Sequence, residues 1–243
     1  AARQGVWLAK AGFGKFKSPF DYKPYVAMAK KAGMVVNVHT GGASIPDSSP
    51  ITGDHLLHMQ PTVSFHINGG PVAMPDKDFG RIINESGIAM QICQAGNIRT
   101  AIMCLNMAVE AGEFDRLIFA TDTPTGTGMM PLGMIKTVVE MACLTDHSPE
   151  MMVCAATGNN ANVYKLNTGF IKRGKDADIM IVDSPLGSSG KTALDAIKHG
   201  DYPAIPAVFT DGIPRFIHRS RNTPPSMRKM YLKRNKILQE FDP

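Results

Sequence analysis

Five residues at nearly constant spacing carry the chemically most useful side chains of this 243-residue chain. They are Lys10, His39, His66, Cys93 and Asp122, at intervals of 29, 27, 27 and 29 residues. Two imidazoles and a carboxylate are ligands that zinc, iron or manganese takes in proteins. An aspartate beside such a metal can also accept a proton from the attacking water. The pattern therefore predicts a metal site in which Asp122 is both a ligand and the general base.

Each of these residues closes a short apolar run rich in β-branched residues, and each run is followed by a helix-like stretch. The predicted strands are Val6–Ala11, Val35–His39, Thr62–His66, Ile88–Cys93 and Leu117–Asp122. A βαβ unit needs about 30 residues, so the period matches parallel strands joined by helices. In (β/α) barrels, the carboxyl ends of the strands form the rim that holds the active site. We therefore expect the five side chains to share one rim.

Lys10 needs separate treatment because an ammonium group cannot bind a metal. If its neutral amine reacts with carbon dioxide, the resulting carbamate is an anionic oxygen ligand that can bridge two metals. Burial near cations favours the neutral amine by lowering its pKa. The alternative is that the ammonium group of Lys10 contacts an anionic substrate.

Polar residues just beyond the predicted strand ends are candidates for substrate contact. Gln94 and Asn97 follow Cys93, and Asn68 follows His66 in a glycine-containing loop. Cys93 itself is predicted to be a core residue, because a nucleophilic cysteine would need a histidine base beside it.

The composition excludes several classes of protein. Hydrophobic residues make up 44% of the chain and charged residues 19%, which excludes a disordered chain. No apolar run reaches the roughly 18 residues of a membrane span. The four cysteines lack CxxC spacing and indicate the reduced thiols of a cytoplasmic protein.

The net charge of +5 arises in the C-terminal region. The segment Arg215–Lys236 holds eight basic residues and no acidic one, which leaves 18 basic and 21 acidic residues elsewhere. A nucleic-acid footprint would need a basic face with interleaved aromatic residues. We therefore predict no nucleic-acid partner, and the lack of a membrane-span-length apolar run predicts no membrane partner.

A second region begins near Thr168. Ile179–Asp183 is predicted to be a strand, and Asp211-Gly212 lies between Ala207–Thr210 and Arg215–His218 as a hairpin turn.

The segment 170–183 contains Gly-Lys-Asp-Ala-Asp before the strand, and earlier segments read HTGGASIPDSS, SFHINGGPVAM and ATDTPTGTGMMPLG. With these motifs, the chain resembles the C-terminal half of the metal-dependent amidohydrolase superfamily, and within it the enamidase-like cyclic amidohydrolases.

The resemblance implies an α/β fold: strands 4–8 of a distorted TIM-like (β/α)8 barrel plus part of a small β-sandwich. Residues 1–167 would form the partial barrel, 168–222 part of a composite sandwich, and 223–243 a basic tail. Lys10, His39, His66 and Asp122 match the family's last four metal ligands in order. The implied cofactor is one or two divalent transition metals, with zinc favoured over iron or manganese, bridged by carboxylated Lys10.

Strands 1–3 and the His-x-His pair of the family have no counterpart in this chain. The resemblance therefore implies a second polypeptide that supplies them, and hence a homo- or hetero-oligomer. The implied reaction is hydrolysis of a lactam- or imide-type C–N bond in a small-molecule heterocyclic substrate by a metal-activated hydroxide. The alternatives are a non-catalytic subunit that has lost the site, and deaminase or phosphotriesterase chemistry on the same scaffold.

Overall fold

The computed structural model describes residues 1–12, 16–43, 45–69, 73–124, 128–217 and 222–230. The chain divides into two compact units, Ala1–Lys172 and Arg173–Pro243. The domain limits of 167/168 and 222/223 stay predictions. Residues 231–243 of the predicted basic tail and His218 of the predicted hairpin lie outside the described residues.

The first unit is built on a five-stranded parallel sheet with its strands in sequence order. The strands are β1 (Leu8–Ala11), β2 (Val35–His39), β3 (Val63–Phe65), β4 (Ala89–Cys93) and β5 (Leu117–Ala120). All five predicted strands are confirmed. β1 begins later than predicted, and β3 and β5 end before His66 and Asp122.

Helices connect the strands and continue after the last one. They are α1 (Lys23–Lys31), α2 (Gly53–Met59), α3 (Asp76–Glu85), α4 (Ile98–Glu110), α5 (Gly133–Cys143), α6 (Pro149–Ala156) and α7 (Gly158–Tyr164). A 3-10 turn, Pro19–Tyr22, precedes α1, and the hydroxyl of Ser18 accepts a hydrogen bond from Phe20 N at its start. The chain reverses after α1 and α4 at Gly33 (φ 83°) and Gly112 (φ 73°), where glycine adopts the left-handed conformation without strain.

The core of this unit lies against the sheet. Every residue of β2 and β4 is buried, as expected for parallel strands covered on both faces. Val35, Val63, Ala89 and Ile118, each at 3% exposure or less, form one cluster across four neighbouring strands, and Tyr164 packs against it. This apolar layer supports the strand ends that carry the predicted site.

The second unit contains the antiparallel strands β6 (Ile179–Asp183), β7 (Ala204–Thr210) and β8 (Ile213–Ile217), with α8 (Ala193–Lys198) between β6 and β7. Asp211 (φ 53°) and Gly212 (φ 75°) make the turn from β7 to β8. Two successive positive φ values are typical of the type I′ turn that fits a two-residue hairpin. The hairpin predicted from Asp-Gly is therefore confirmed.

Two further observations concern the chain as a whole. All four cysteines are free thiols, as predicted. Among the described residues, no helix is both long enough and apolar enough to span a membrane.

Replacing Asn97 by alanine should destabilise the first unit by about 1 kcal/mol. Asn97 is the N-cap of α4, and its side-chain oxygen accepts a hydrogen bond of 3.1 Å from the Thr100 amide. Urea unfolding monitored by circular dichroism measures this loss. Asn97→Ser should recover most of the stability because serine also caps helices. Equal stability of Asn97→Ala and the unmodified protein would contradict the capping role.

Candidate metal centre

The two predicted histidines meet at the rim of the sheet. His39 is the last residue of β2, and His66 follows β3 directly; their exposures are 2% and 6%. His39 Nδ1 lies 3.1 Å from His66 Nε2, and the two ring centroids are 4.6 Å apart. The structure therefore brings together two imidazoles that are 27 residues apart in sequence.

The tautomer of His39 follows from its other contact. Its Nε2 lies 2.9 Å from the carbonyl oxygen of Gly42, which can only accept a hydrogen bond. Nε2 must therefore carry the proton, and in the neutral ring Nδ1 carries a lone pair directed at His66. A backbone carbonyl that orients the far nitrogen of a histidine is the usual support of a metal-binding imidazole.

Burial keeps both imidazoles neutral. Burial is the main cause that lowers the pKa of His39, and it lowers the pKa of His66 to about 4, helped by the charge of neighbouring His39. Only a neutral imidazole can bind a metal. Each ring is therefore uncharged at neutral pH, which is the charge state that metal binding requires.

Lys10 and Asp122 belong to the same rim. Burial lowers the pKa of Lys10, and the nearby negative charge of Asp122 partly opposes this. The same carboxylate acts on the pKa values of both histidines, so all four predicted ligands are electrostatically coupled. The Lys10 Nζ atom lies 4.5 Å from the ring centre of Phe65, which reaches the same face from β3.

The backbone is unusual at two of these positions. His66 (φ 36°) and Asp122 (φ 54°) both lie in the left-handed region, which non-glycine residues rarely adopt. Such conformations are concentrated at functional sites, where the surrounding structure compensates their cost of about 1–3 kcal/mol. This departure from extended geometry also explains why β3 and β5 end before these residues.

The donor set fits a divalent transition metal. Two zinc–nitrogen bonds of about 2.0–2.1 Å at a tetrahedral angle place the nitrogens about 3.4 Å apart. The 3.1 Å separation of His39 Nδ1 and His66 Nε2 needs only a small adjustment to reach that value. Among the described residues, no group of three or more His, Cys, Asp or Glu could hold a metal ion. Of the predicted metal site, the structure therefore brings together the pair of His39 and His66.

Cys93 is a buried core residue, at 3% exposure, and this prediction is confirmed. Burial raises the pKa of its thiol to about 12, and the charge of Asp122 adds to the effect. The thiol is therefore protonated at neutral pH and unsuited to act as a nucleophile.

Two of the three residues predicted to contact substrate form hydrogen bonds within the protein instead. Asn68 accepts a 2.8 Å hydrogen bond from Cys93 N and donates one of 3.0 Å to Cys93 O. Asn97 caps α4. Gln94 differs: its Oε1 atom is buried and has no hydrogen-bond partner within the described part of the chain. Substrate contact by Asn68, Asn97 and Gln94 stays a prediction.

Two polar residues near the site were not singled out from the sequence. Gln91 accepts a 3.4 Å hydrogen bond from the His66 amide and donates one of 3.1 Å to the Tyr164 hydroxyl. Asn37, two residues before His39, is 4% exposed, and its Oδ1 has no partner among the described residues. The sequence does contain a sign of both residues: each is a polar residue in the interior of an otherwise apolar strand, Asn37 in VVNVH and Gln91 in AMQIC.

Gly12→Ala should disorganise the histidine pair. A Cβ atom at position 12 would lie 2.7 Å from His39 Cβ, and Gly12 adopts a φ of 109° that alanine rarely takes. We expect metal affinity to fall by at least about tenfold, as for lost support of a ligand. Isothermal titration with Zn²⁺ measures this.

The matched control is Gly87→Ala, which introduces a methyl group where nothing lies within 4 Å among the described residues. Unchanged zinc affinity in a folded Gly12→Ala variant would contradict the close approach to His39.

Comparison with known proteins gives a consistent picture. A profile described as the amidohydrolase family matches residues 21–215. Enamidase from Eubacterium barkeri is 45% identical over 227 residues, which are 93% of this chain and 58% of that protein. The chain thus spans less than two thirds of the length of this relative.

Solved structures agree. The crystal structure of enamidase superposes with a TM-score of 0.88 at 45% identity, covering 93% of this chain and 59% of that one. A β-aspartyl dipeptidase from Fervidobacterium islandicum AW-1 gives 0.54 at 16% identity, with coverages of 82% and 53%. The zinc complex of atrazine chlorohydrolase from Arthrobacter aurescens TC1 gives 0.57 at 13% identity, with coverages of 90% and 51%. The last two likenesses concern the fold alone.

Proposed function

The chain belongs to the amidohydrolase family, and from this premise we propose that it forms part of a metal-dependent hydrolase of cyclic amides. The five parallel strands are the C-terminal portion of the family's TIM-like barrel, and β6–β8 are part of its small β-domain. The observation that carries the proposal is the buried, neutral pair of His39 and His66 at the barrel rim. The 45% sequence identity between this chain and enamidase supports a C–N bond in a ring as the bond that is hydrolysed.

His39, His66, Asp122 and carboxylated Lys10 would hold one or two divalent metals, with zinc as the first choice. A bound metal would polarise the amide carbonyl and make a water molecule more acidic. Asp122 accepts the proton of that water and passes it to the leaving ring nitrogen.

We further propose that a second polypeptide completes the barrel with strands 1–3 and a His-x-His pair. Support comes from β1, which is an edge strand of the described sheet and is preceded by exposed apolar residues: Val6 and Trp7 are 45% and 47% exposed. β6 likewise exposes Met180 at 46% and Ile181 at 40%. Uncovered strands of this kind favour association with another chain.

Lys10 tests the proposal because its role depends on becoming a carboxylate. Lys10→Ala should abolish both the hydrolysis of a lactam such as δ-valerolactam and the binding of a second metal. Lys10→Glu should restore part of both because it supplies a carboxylate without carbon dioxide. Metal analysis together with a lactam assay of the assembled protein gives both readouts.

Lys23→Ala, on the exposed surface of α1, is the matched control and should behave as the unmodified protein. Unchanged turnover in Lys10→Ala would remove the bridging role. A protein that binds no metal and hydrolyses no cyclic amide would instead be the non-catalytic subunit. Activity only on amino-substituted rings or phosphotriesters would assign deaminase or phosphotriesterase chemistry.

A further inference from the structure

A cavity of about 300 Å³ lies beside the candidate metal centre, where α4 and α5 approach the end of β4. Its polar lining includes Gln94, Lys136 and Glu140, and its apolar lining includes Ile98 and Met141. This volume is at the lower end of small-molecule pockets, which span about 300–1,000 Å³. The residues that line it belong to the loop after β3, to β4 and the segment after it, and to α4 and α5.

The cavity adjoins the metal centre through Cys93. This residue lines the cavity, and its charge interactions with Lys10 and Asp122 place it near both groups. Cys93 therefore links the cavity to the part of the rim that carries Lys10 and Asp122.

Gln94 provides the first sign of a ligand. Its Oε1 atom is buried and accepts no hydrogen bond from any described residue. A buried acceptor without a donor is costly, and in native proteins such an atom is normally matched by a ligand, a water or an ion. The ligand should therefore present an N–H or O–H group to Gln94.

Lys136 and Glu140 provide charges of both signs. Lys136 Nζ lies 3.5 Å from Glu140 Oε1, and their side chains are 33% and 31% exposed. A long, partly exposed ion pair contributes little to stability, so either partner can exchange it for a ligand. The cavity thus offers a cation, an anion and an uncharged acceptor.

We propose that this cavity binds the product of the reaction, a small ω-amino acid. This inference rests on the proposed function. When water opens a lactam, the C–N bond breaks, the hydroxyl group joins the acyl carbon and a proton joins the nitrogen. The product carries a carboxylate and an ammonium group. The carboxylate pairs with Lys136, and the ammonium group donates hydrogen bonds to Glu140 and to Gln94 Oε1.

The test uses 5-aminopentanoate, the ring-opened form of δ-valerolactam, in calorimetric titrations of the assembled protein. The unmodified protein should bind it both with metal and after chelation. Gln94→Leu and Lys136→Met should each weaken binding by about tenfold or more, the effect of losing a hydrogen bond to a charged group. Lys77→Met, at an exposed position of α3, should bind within about twofold of the unmodified protein.

Several results would overturn the inference. These are absence of binding, unchanged affinity in folded Gln94→Leu and Lys136→Met variants, and loss of binding on chelation or in His66→Ala. The last result would place the amino acid at the metal instead. δ-Valerolactam hydrolysis is measured on the same samples. Hydrolysis without amino acid binding overturns the cavity site alone, whereas binding without hydrolysis of any cyclic amide counts against the proposed function.

Discussion

His66→Ala should abolish tight metal binding and lower turnover by about a thousandfold or more, the scale of several kcal/mol of lost transition-state stabilisation. The substitution removes one of the two nitrogens that face each other at 3.1 Å. His39 alone cannot fix a metal against water, because a single imidazole provides one bond of the usual four. Metal content after gel filtration and steady-state kinetics of the assembled protein are the two measurements.

His58→Ala is the matched histidine control for this experiment. His58 is exposed on α2, where its ring contacts Phe20 with the centroids 5.0 Å apart. Its loss should leave metal content and turnover near those of the unmodified protein. Full metal content in His66→Ala would contradict the assignment of the histidine pair as ligands.

Asp122→Asn should lower the turnover number by about 10²–10⁴-fold, the usual contribution of a general base. Asparagine has the same shape, and it tolerates the left-handed φ of 54° at this position. The variant therefore removes the carboxylate, and its backbone can still adopt the conformation found at position 122. Steady-state kinetics of the assembled protein measure this loss of kcat.

Asp115→Asn, at an exposed position after α4, is the control for the loss of one negative charge. It should leave kcat unchanged. Asp122→Asn with unaltered kcat would show that another group moves the proton, although Asp122 could still bind the metal.

Much of the first unit was predictable because the parallel strands repeat at a regular interval. The segment 35–39 has three valines, with Asn37 and His39 as its polar residues, and β2 begins and ends at the predicted residues. Strand ends with special backbone geometry were less predictable. The apolar pattern continues to His66 and Asp122, but their positive φ values end the strands earlier.

The polar residues around the site show what a single sequence leaves out. From the sequence, Asn68 is a polar loop residue that could contact substrate. In the structure its side chain instead forms hydrogen bonds with the backbone N and O atoms of Cys93. These hydrogen bonds join residues that are 25 positions apart in sequence, so the sequence around Asn68 cannot reveal them. Gln91 lies in an apolar strand, and its bonds to the His66 amide and the Tyr164 hydroxyl depend on chain segments far away in sequence. The sequence predicted the ligand types at the rim, but not the hydrogen bonds that support them.

Native mass spectrometry of the protein isolated without chelators can show whether this chain is part of a metal-dependent hydrolase. We expect a complex that contains a second polypeptide and one or two divalent transition metals, and His66→Ala should remove the metal from that complex. A metal-free species that contains this chain alone, and that takes up no zinc on titration, would contradict the metal-dependent hydrolase.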